Sequence, residues 1–149
     1  MDVIAQKSFP AALPLGPQVP VDEPFWMGLL EGELRIQHCK ECDRWIWGPS
    51  WVCQDCHAFD PPWEAVEPVG TVYSWTTTHH AFPASREFAE SVPYTTALVE
   101  LPHAGGRRIL GIVTNTRDVR IGQHVRGWIQ PAGESTGGWP VLRWIAEED

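Results

Sequence analysis

A chain of 149 residues has room for one ordinary domain or two very small ones. Its formal net charge is -8, with 11 Lys and Arg against 19 Asp and Glu and a pI near 5.1, which equips it poorly to neutralise a phosphate backbone. It has no apolar run of about eighteen residues and no basic-then-apolar leader, so neither a membrane span nor a secretory signal is expected.

Residues 1–21 carry Pro10, Pro14, Pro17 and Pro20 and almost no charge. Proline at this spacing excludes a helix and predicts an extended arm, with Phe9, Leu13 and Leu15 as apolar teeth that suit either a tail or the wrapping of a partner. A helix is expected next, with Asp22 as N-cap, Pro24 in its first turn and Gly32 as its stop. Phe25, Trp26, Leu29 and Leu30 recur at helical spacing and form one apolar stripe. Residues 33–38 alternate, with Leu34, Ile36 and His38 on one side, and read as a short strand. The helix and lead-in strand together take up residues 22–36.

Residues 37–66 hold every cysteine of the chain: Cys39 and Cys42, ten intervening residues, then Cys53 and Cys56. Two Cys-x-x-Cys knuckles bring four soft thiolates to one ion, the set that structural zinc takes, and leave room for a two-stranded ribbon between them. Iron is the alternative that an all-thiolate tetrahedral site also admits, and His57 after Cys56 offers a variant with three cysteines and one histidine. Such a site is closed and holds the fold without doing chemistry. Metal-type cysteine spacing fits a reducing cytoplasm. Trp45, Ile46, Trp47 and Trp51 lie between the knuckles on an element too thin to bury them all. With Phe25 and Trp26 they form the expected partner interface.

From residue 67 to residue 149 the chain reads as all-β. Strands are expected at 71–78, 94–101, 108–114, 125–129 and 141–145, with a turn at Ile121 and Gly122. Tyr73, Trp75 and Thr77 share one face of the first. Five short strands with glycine punctuation predict a small closed barrel of OB-fold type, with Gly70 and Gly111 where strands bend. The loops at 79–92 and 131–140 are those that flank the usual OB-fold binding face. The first contains His79, His80 and Phe82, a candidate substrate-channel loop.

The order of parts resembles a known family. Its marks here are the Phe-Trp-x-Gly-Leu of the helix at Phe25, the four-cysteine ribbon, and the Gly-Thr-Val-Tyr-Ser-Trp-Thr strand from Gly70. The Pro-Tyr-x-x-Ala-Leu-Val-Glu-Leu strand from Pro93, the Ile-Leu-Gly at Ile109 and the Ile-Gly-x-x-Val turn at Ile121 complete the set. This is similar to the acyl-CoA-associated proteins with a rubredoxin-like zinc ribbon and an OB-fold, over residues 22–146. The resemblance implies a small subunit that works with a thiolase-fold enzyme of the sterol-carrier-protein thiolase type, assembled as a heterotetramer. Such complexes make or break carbon–carbon bonds, or transfer acyl groups, on acyl-CoA thioesters. The catalytic residues are expected on the partner, and the small subunit stabilises it and helps form the channel for the CoA ester. Asp43 and His57 stand where rubredoxin-type knuckles favour glycine; both tolerate the left-handed conformation better than most residues.

The residues themselves contain no GxSxG, Walker, HExxH or dinucleotide-binding motif, so no catalytic residue is expected in this chain. His79 and His80 with Glu87 and Glu90 are the one acid–base grouping in reach of each other in sequence. Two other readings remain. One is a nucleic-acid-binding module, in which Tyr73 and Trp75 stack bases, against which the charge argues. The other is a free-standing acyl-CoA carrier, for which Arg86, Arg107, Arg108, Arg117 and Arg120 supply cations.

Overall fold

The computed structural model describes residues 20–80 and 91–148. Nearly all of the expected proline-rich arm, together with Phe82, Arg86, Glu87 and Glu90, lies outside the described residues.

The chain is mainly β. Helix α1 (Glu23–Glu31) begins after Asp22 with Pro24 in its first turn and ends at Gly32, which adopts φ 83°. The cap is of Schellman type: the N–H of Glu33 donates to the Gly28 carbonyl at 2.8 Å and that of Gly32 to the Leu29 carbonyl at 3.2 Å. Asp22 differs from the expected N-cap in one respect. Its carboxylate accepts from the Trp26 indole N–H at 3.0 Å and not from a backbone N–H. The stripe buries Phe25 and Leu29, while Trp26 and Leu30 remain half-buried.

Three short strands follow: β1 (Leu34–His38), β2 (Trp45–Ile46) and β3 (Trp63–Val66). They form one antiparallel sheet in the order β2-β1-β3, with Gln37 opposite Ile46 on one side and opposite Trp63 on the other. The expected two-stranded ribbon between the knuckles is thus a three-stranded one with β1 at its centre. Its third strand follows the second knuckle across Pro61 and Pro62, which disguise the strand in the sequence. The alternation of β1 is also lost: Gln37, expected on the open side, is 1 % exposed. Its amide donates to the carbonyls of Ser50 and Pro61 at 3.1 and 3.2 Å and accepts from the Ser50 N–H at 2.9 Å, so the loop between the knuckles closes over it.

The barrel comprises β4 (Val69–Thr78), β5 (Tyr94–Leu101), β6 (Arg107–Val113), β7 (His124–Gln130) and β8 (Val141–Ala146). It closes in the order β4-β5-β6-β8-β7; all pairs are antiparallel except β6 with β8, the arrangement of an OB-fold. On β5, Thr95, Ala97, Val99 and Leu101 point inward and are fully buried, and Trp144 of β8 fills the centre at 0 % exposure. A bulge between Val72 and Ser74 corrects the expected face of β4. Trp75 and Thr77 sit opposite the inward Ala97 and Thr95, whereas Tyr73 turns out of that face and lies under the Arg108 guanidinium, 3.4 Å from its ring centroid.

Ribbon, helix and barrel share one hydrophobic core. It runs from Phe25, Leu29, Leu34 and Ile36 to Val99 and Trp144, with Trp26, Trp45 and Trp47 packed against it. Inside the barrel, two glycines permit close approach. A Cβ at Gly70 would stand 2.3 Å from the Glu100 carbonyl oxygen, and one at Gly111 would stand 2.5 Å from Trp144 Nε1. At Gly70 the obstacle is backbone and cannot swing aside. Gly70→Ala is therefore expected to destabilise the chain by about 1–3 kcal/mol, the range for overpacking a tight site. Equilibrium denaturant unfolding measures this, and a midpoint equal to wild type would contradict the close approach.

Candidate metal centre and binding surfaces

The two knuckles are built alike. Each opens with a cysteine whose N–H donates to the carbonyl five residues on: Cys39 to Arg44 at 2.8 Å and Cys53 to Ala58 at 2.9 Å. Each then turns through a left-handed residue after its second cysteine, Asp43 at φ 59° and His57 at φ 62°, at the two positions that departed from glycine. The hydrogen-bonded turn requires that conformation, and Asp and His accept it at modest cost. The second knuckle is closed by a bridge between Val52 and Phe59.

These turns aim all four sulfurs at one point. Every ligand atom of Cys39, Cys42, Cys53 and Cys56 lies within 4.8 Å of the others, and the pairs Cys39–Cys56 and Cys42–Cys53 are 3.5 and 3.6 Å apart. A tetrahedron with metal–sulfur bonds of about 2.3 Å has edges of about 3.8 Å, so the four positions suit one thiolate-bound ion. The same distances are far beyond an S–S bond, and all four cysteines are free. His57 is exposed and stands outside this convergent set, which removes the three-cysteine variant.

The thiols are electrostatically unequal. Backbone N–H groups of Cys56 and Asp55 hold Cys53 down to about 7, while desolvation and hydrogen bonding with the other three sulfurs push Cys42 up to about 12. An ion must displace the protons that remain. Around the site, Arg44 of the first knuckle pairs with Asp55 of the second. The His38 ring stacks on Trp45 with centroids 4.1 Å apart, and its nitrogens lie 2.8 Å from Asp43 and 3.0 Å from Glu64. The knuckles have almost no core of their own: Cys39, Ile46 and Cys53, with Ala58 against them.

The tryptophans divide. Trp45 and Trp47 are half-buried against the common core, and Trp47 meets the Phe25 ring at 5.2 Å. Phe25 is buried, and Trp26 lies between Phe25 and Trp139. Of the five aromatic residues in the expected interface, Trp51 alone is exposed, at 53 %. Phe59, the bridge partner of Val52, is also exposed, at 83 %, and is not legible in the sequence because a lone phenylalanine in a polar loop carries no periodic signal.

The barrel forms a groove of about 490 Å³. It is lined by Tyr94, Thr95, Thr114, Asn115, Arg117 and Arg143, among others. Ser91 and Ser135 at its ends belong to the two loops expected to flank an OB-fold binding face. His79 and His80 are exposed where β4 runs out and are not part of its lining. Of the expected cations, Arg117 lines this groove, Arg108 is engaged by Tyr73 and Glu100, and Arg107 lines the cleft between ribbon and barrel beside Arg44. Arg143 was not singled out in the sequence, since an arginine on the outward side of a strand reads as an ordinary solvated residue.

With so small a core, the ribbon depends on its ion. Removing the ion with a chelator, or replacing Cys53 by Ser, is expected to abolish the near-ultraviolet tryptophan signal of the ribbon and lower the melting temperature. Proton competition should release the ion as pH falls toward about 5. Metal content and circular dichroism read both effects, and an intact ribbon after full metal loss would overturn them.

Comparison with known proteins agrees with this geometry. Residues 26–62 match the rubredoxin-like zinc ribbon domain of ChsH2, and residues 63–130 match the ChsH2 C-terminal OB-fold domain. Among solved structures, the chain is similar to one described as an "Ltp2-ChsH2(DUF35) aldolase", with a TM-score of 0.72 and 23 % identity over 88 % of this chain and 98 % of that one. It is also similar to a DUF35 protein of unknown function from Sulfolobus solfataricus, with a TM-score of 0.57 and 18 % identity over 86 % of each chain. No curated protein matches. With its four-cysteine ribbon and closed barrel matched in order by the two ChsH2 domains, this chain belongs to the ChsH2 family of rubredoxin-like zinc ribbon and OB-fold proteins.

Proposed function

We propose that this chain is the accessory, zinc-binding subunit of a heteromeric thiolase-like enzyme acting on acyl-CoA thioesters, as an aldolase or retro-aldolase, a thiolase or an acyltransferase. The carrying observation is the likeness of 88 % of this chain to a structure described as an "Ltp2-ChsH2(DUF35) aldolase". In this reading the reacting groups belong to a thiolase-fold partner in a heterotetramer. The present chain stabilises that partner and contributes a wall of the channel that admits the CoA ester. Its ion is zinc, which four thiolates hold in a closed site without an open position for substrate. The complex works in the cytoplasm, where the thiolates stay reduced. Among the described residues no helix is long and apolar enough to cross a membrane.

The ribbon is the part of the surface best suited to docking. Trp51 and Phe59 are both exposed on the segments that flank the second knuckle, whose bridge between Val52 and Phe59 limits the freedom they have to lose on burial. Phe25 belongs to the common core, and Trp26, Trp45 and Trp47 pack against it, so they offer less free surface than Trp51.

Purification of the chain from its source in native form is expected to bring a thiolase-fold protein in fixed stoichiometry, identified by mass spectrometry. Recovery of the chain alone, or with nucleic acid, would sink the reading. Within the complex, Trp51→Ala is expected to weaken assembly by about 2 kcal/mol or more, roughly thirtyfold, as buried interface tryptophans do. The same change should leave the isolated chain's stability within about 0.5 kcal/mol of wild type. Trp47→Ala should show the reverse order, with loss of stability first. Replacing both His79 and His80 by Ala is expected to lower turnover without dissociating the complex; unchanged kinetics would remove that loop from the channel.

A further inference from the structure

A cleft separate from the barrel groove lies where α1, the ribbon and the barrel meet. It encloses about 410 Å³. α1 contributes Phe25, Trp26 and Leu29 to its lining, the ribbon Trp47, and the barrel Leu110 and Val141. The Phe25 ring meets Trp26 at 5.1 Å and Trp47 at 5.2 Å, so it links the two tryptophans of the lining. Leu110 is 65 % exposed. Arg108 is the charged member of the lining and is already engaged: its Nε donates to Glu100 at 2.8 Å and its guanidinium lies over Tyr73. An occupant therefore needs apolar surface and no charge.

The chain carries such a segment next to the cleft. Residues 8–20 contain no charged side chain. Pro14, Pro17 and Pro20 recur at every third residue, the repeat of a polyproline II helix, which puts them on one edge. Leu13, Gly16 and Val19 share the next edge. Aromatic-lined grooves are what proline-rich segments of this form dock into, because the extended chain is already ordered. Residues 1–19 lie outside the described residues, but their point of attachment does not. The Pro20 carbonyl accepts the Glu23 N–H at 3.0 Å, and Asp22 stands at φ -94° and ψ 5°, as the third residue of a type I turn does. That turn folds the chain back beside the first turn of α1, and the bond from Trp26 to Asp22 ties the cleft wall to it. Six extended residues span about 19 Å, against about 14 Å for the nine residues of α1, so the arm can run the length of the helix. So short a tether gives the arm an effective concentration on the order of millimolar, an advantage that no occupant in trans has.

We propose that residues 14–19 of this chain's own arm occupy the cleft in extended polyproline form, covering Phe25, Trp26 and Trp47. The arm is then a strap that pins α1 and the ribbon to the barrel. This inference is independent of the subunit reading.

Replacing Leu15 by the photo-reactive p-benzoylphenylalanine in the metal-loaded full chain tests it. On irradiation, an intramolecular cross-link to residues 25–29 or 108–110 is expected, mapped by mass spectrometry of the monomer. Leu110→Asp, at an exposed position, should lower its yield several-fold. Ile121→Asp, 75 % exposed and outside the cleft lining, should leave the yield unchanged. If Leu110→Asp does not fold, Leu110→Gln carries the comparison. Absent or scattered intramolecular cross-links, or equal yields from the Leu110 variant and the unaltered cleft, overturn the proposal. Cross-links between two copies, at a yield that rises with protein concentration, also overturn it, in favour of exchanged arms. Cross-links to a co-purifying protein in place of the cleft overturn it in favour of an arm that wraps a partner.

Discussion

The constraint on which the rest depends is the smallness of the ribbon. Its two knuckles enclose little beyond Cys39, Ile46, Cys53 and Ala58, far too little apolar surface to offset the entropy of ordering two tight turns. Four convergent sulfurs replace a core with an ion. The hydrogen-bonded turns hold Asp43 and His57 in left-handed conformations, and through them set the direction in which each knuckle projects. Arg44 with Asp55 adds a surface link between the knuckles, but exposed pairs of this kind contribute modestly.

The ribbon is not an independent appendage. Trp45 and Trp47 pack down on the core shared with α1 and the barrel, and the His38 ring stacks on Trp45 while bridging Asp43 and Glu64. Gln37, buried at the centre of the sheet, ties the inter-knuckle loop and Pro61 to β1. Each of its bonds satisfies a backbone group that would otherwise be buried unpaired, which is why a polar residue belongs at that central position.

Two surfaces of different character result. The segments flanking the second knuckle expose two large aromatic side chains, Trp51 and Phe59. The barrel groove is polar, walled by satisfied hydrogen bonds and cationic at Arg143 and Arg117.

Local pattern made much of this legible. The Cys-x-x-Cys spacing specified the metal site, since knuckle geometry is set within six residues. The alternation in 94–101 specified β5 residue for residue, and the Asp22, Pro24 and Gly32 signals bounded α1 because caps are local too. The barrel followed from strand number and glycine punctuation. What the tertiary structure alone decided was which polar and aromatic residues are used up. Gln37 is buried because the loop between the knuckles closes over it. Tyr73 left the face of Trp75 because a bulge shifted the register. Trp45 and Trp47 are structural while Trp51 and Phe59 are exposed, because the barrel covers only one side of the ribbon. Arg143 acquires its setting from Gln130 and Ser135 across a closed sheet. Burial and hydrogen-bond partners are properties of long-range pairing, and no window of sequence contains them.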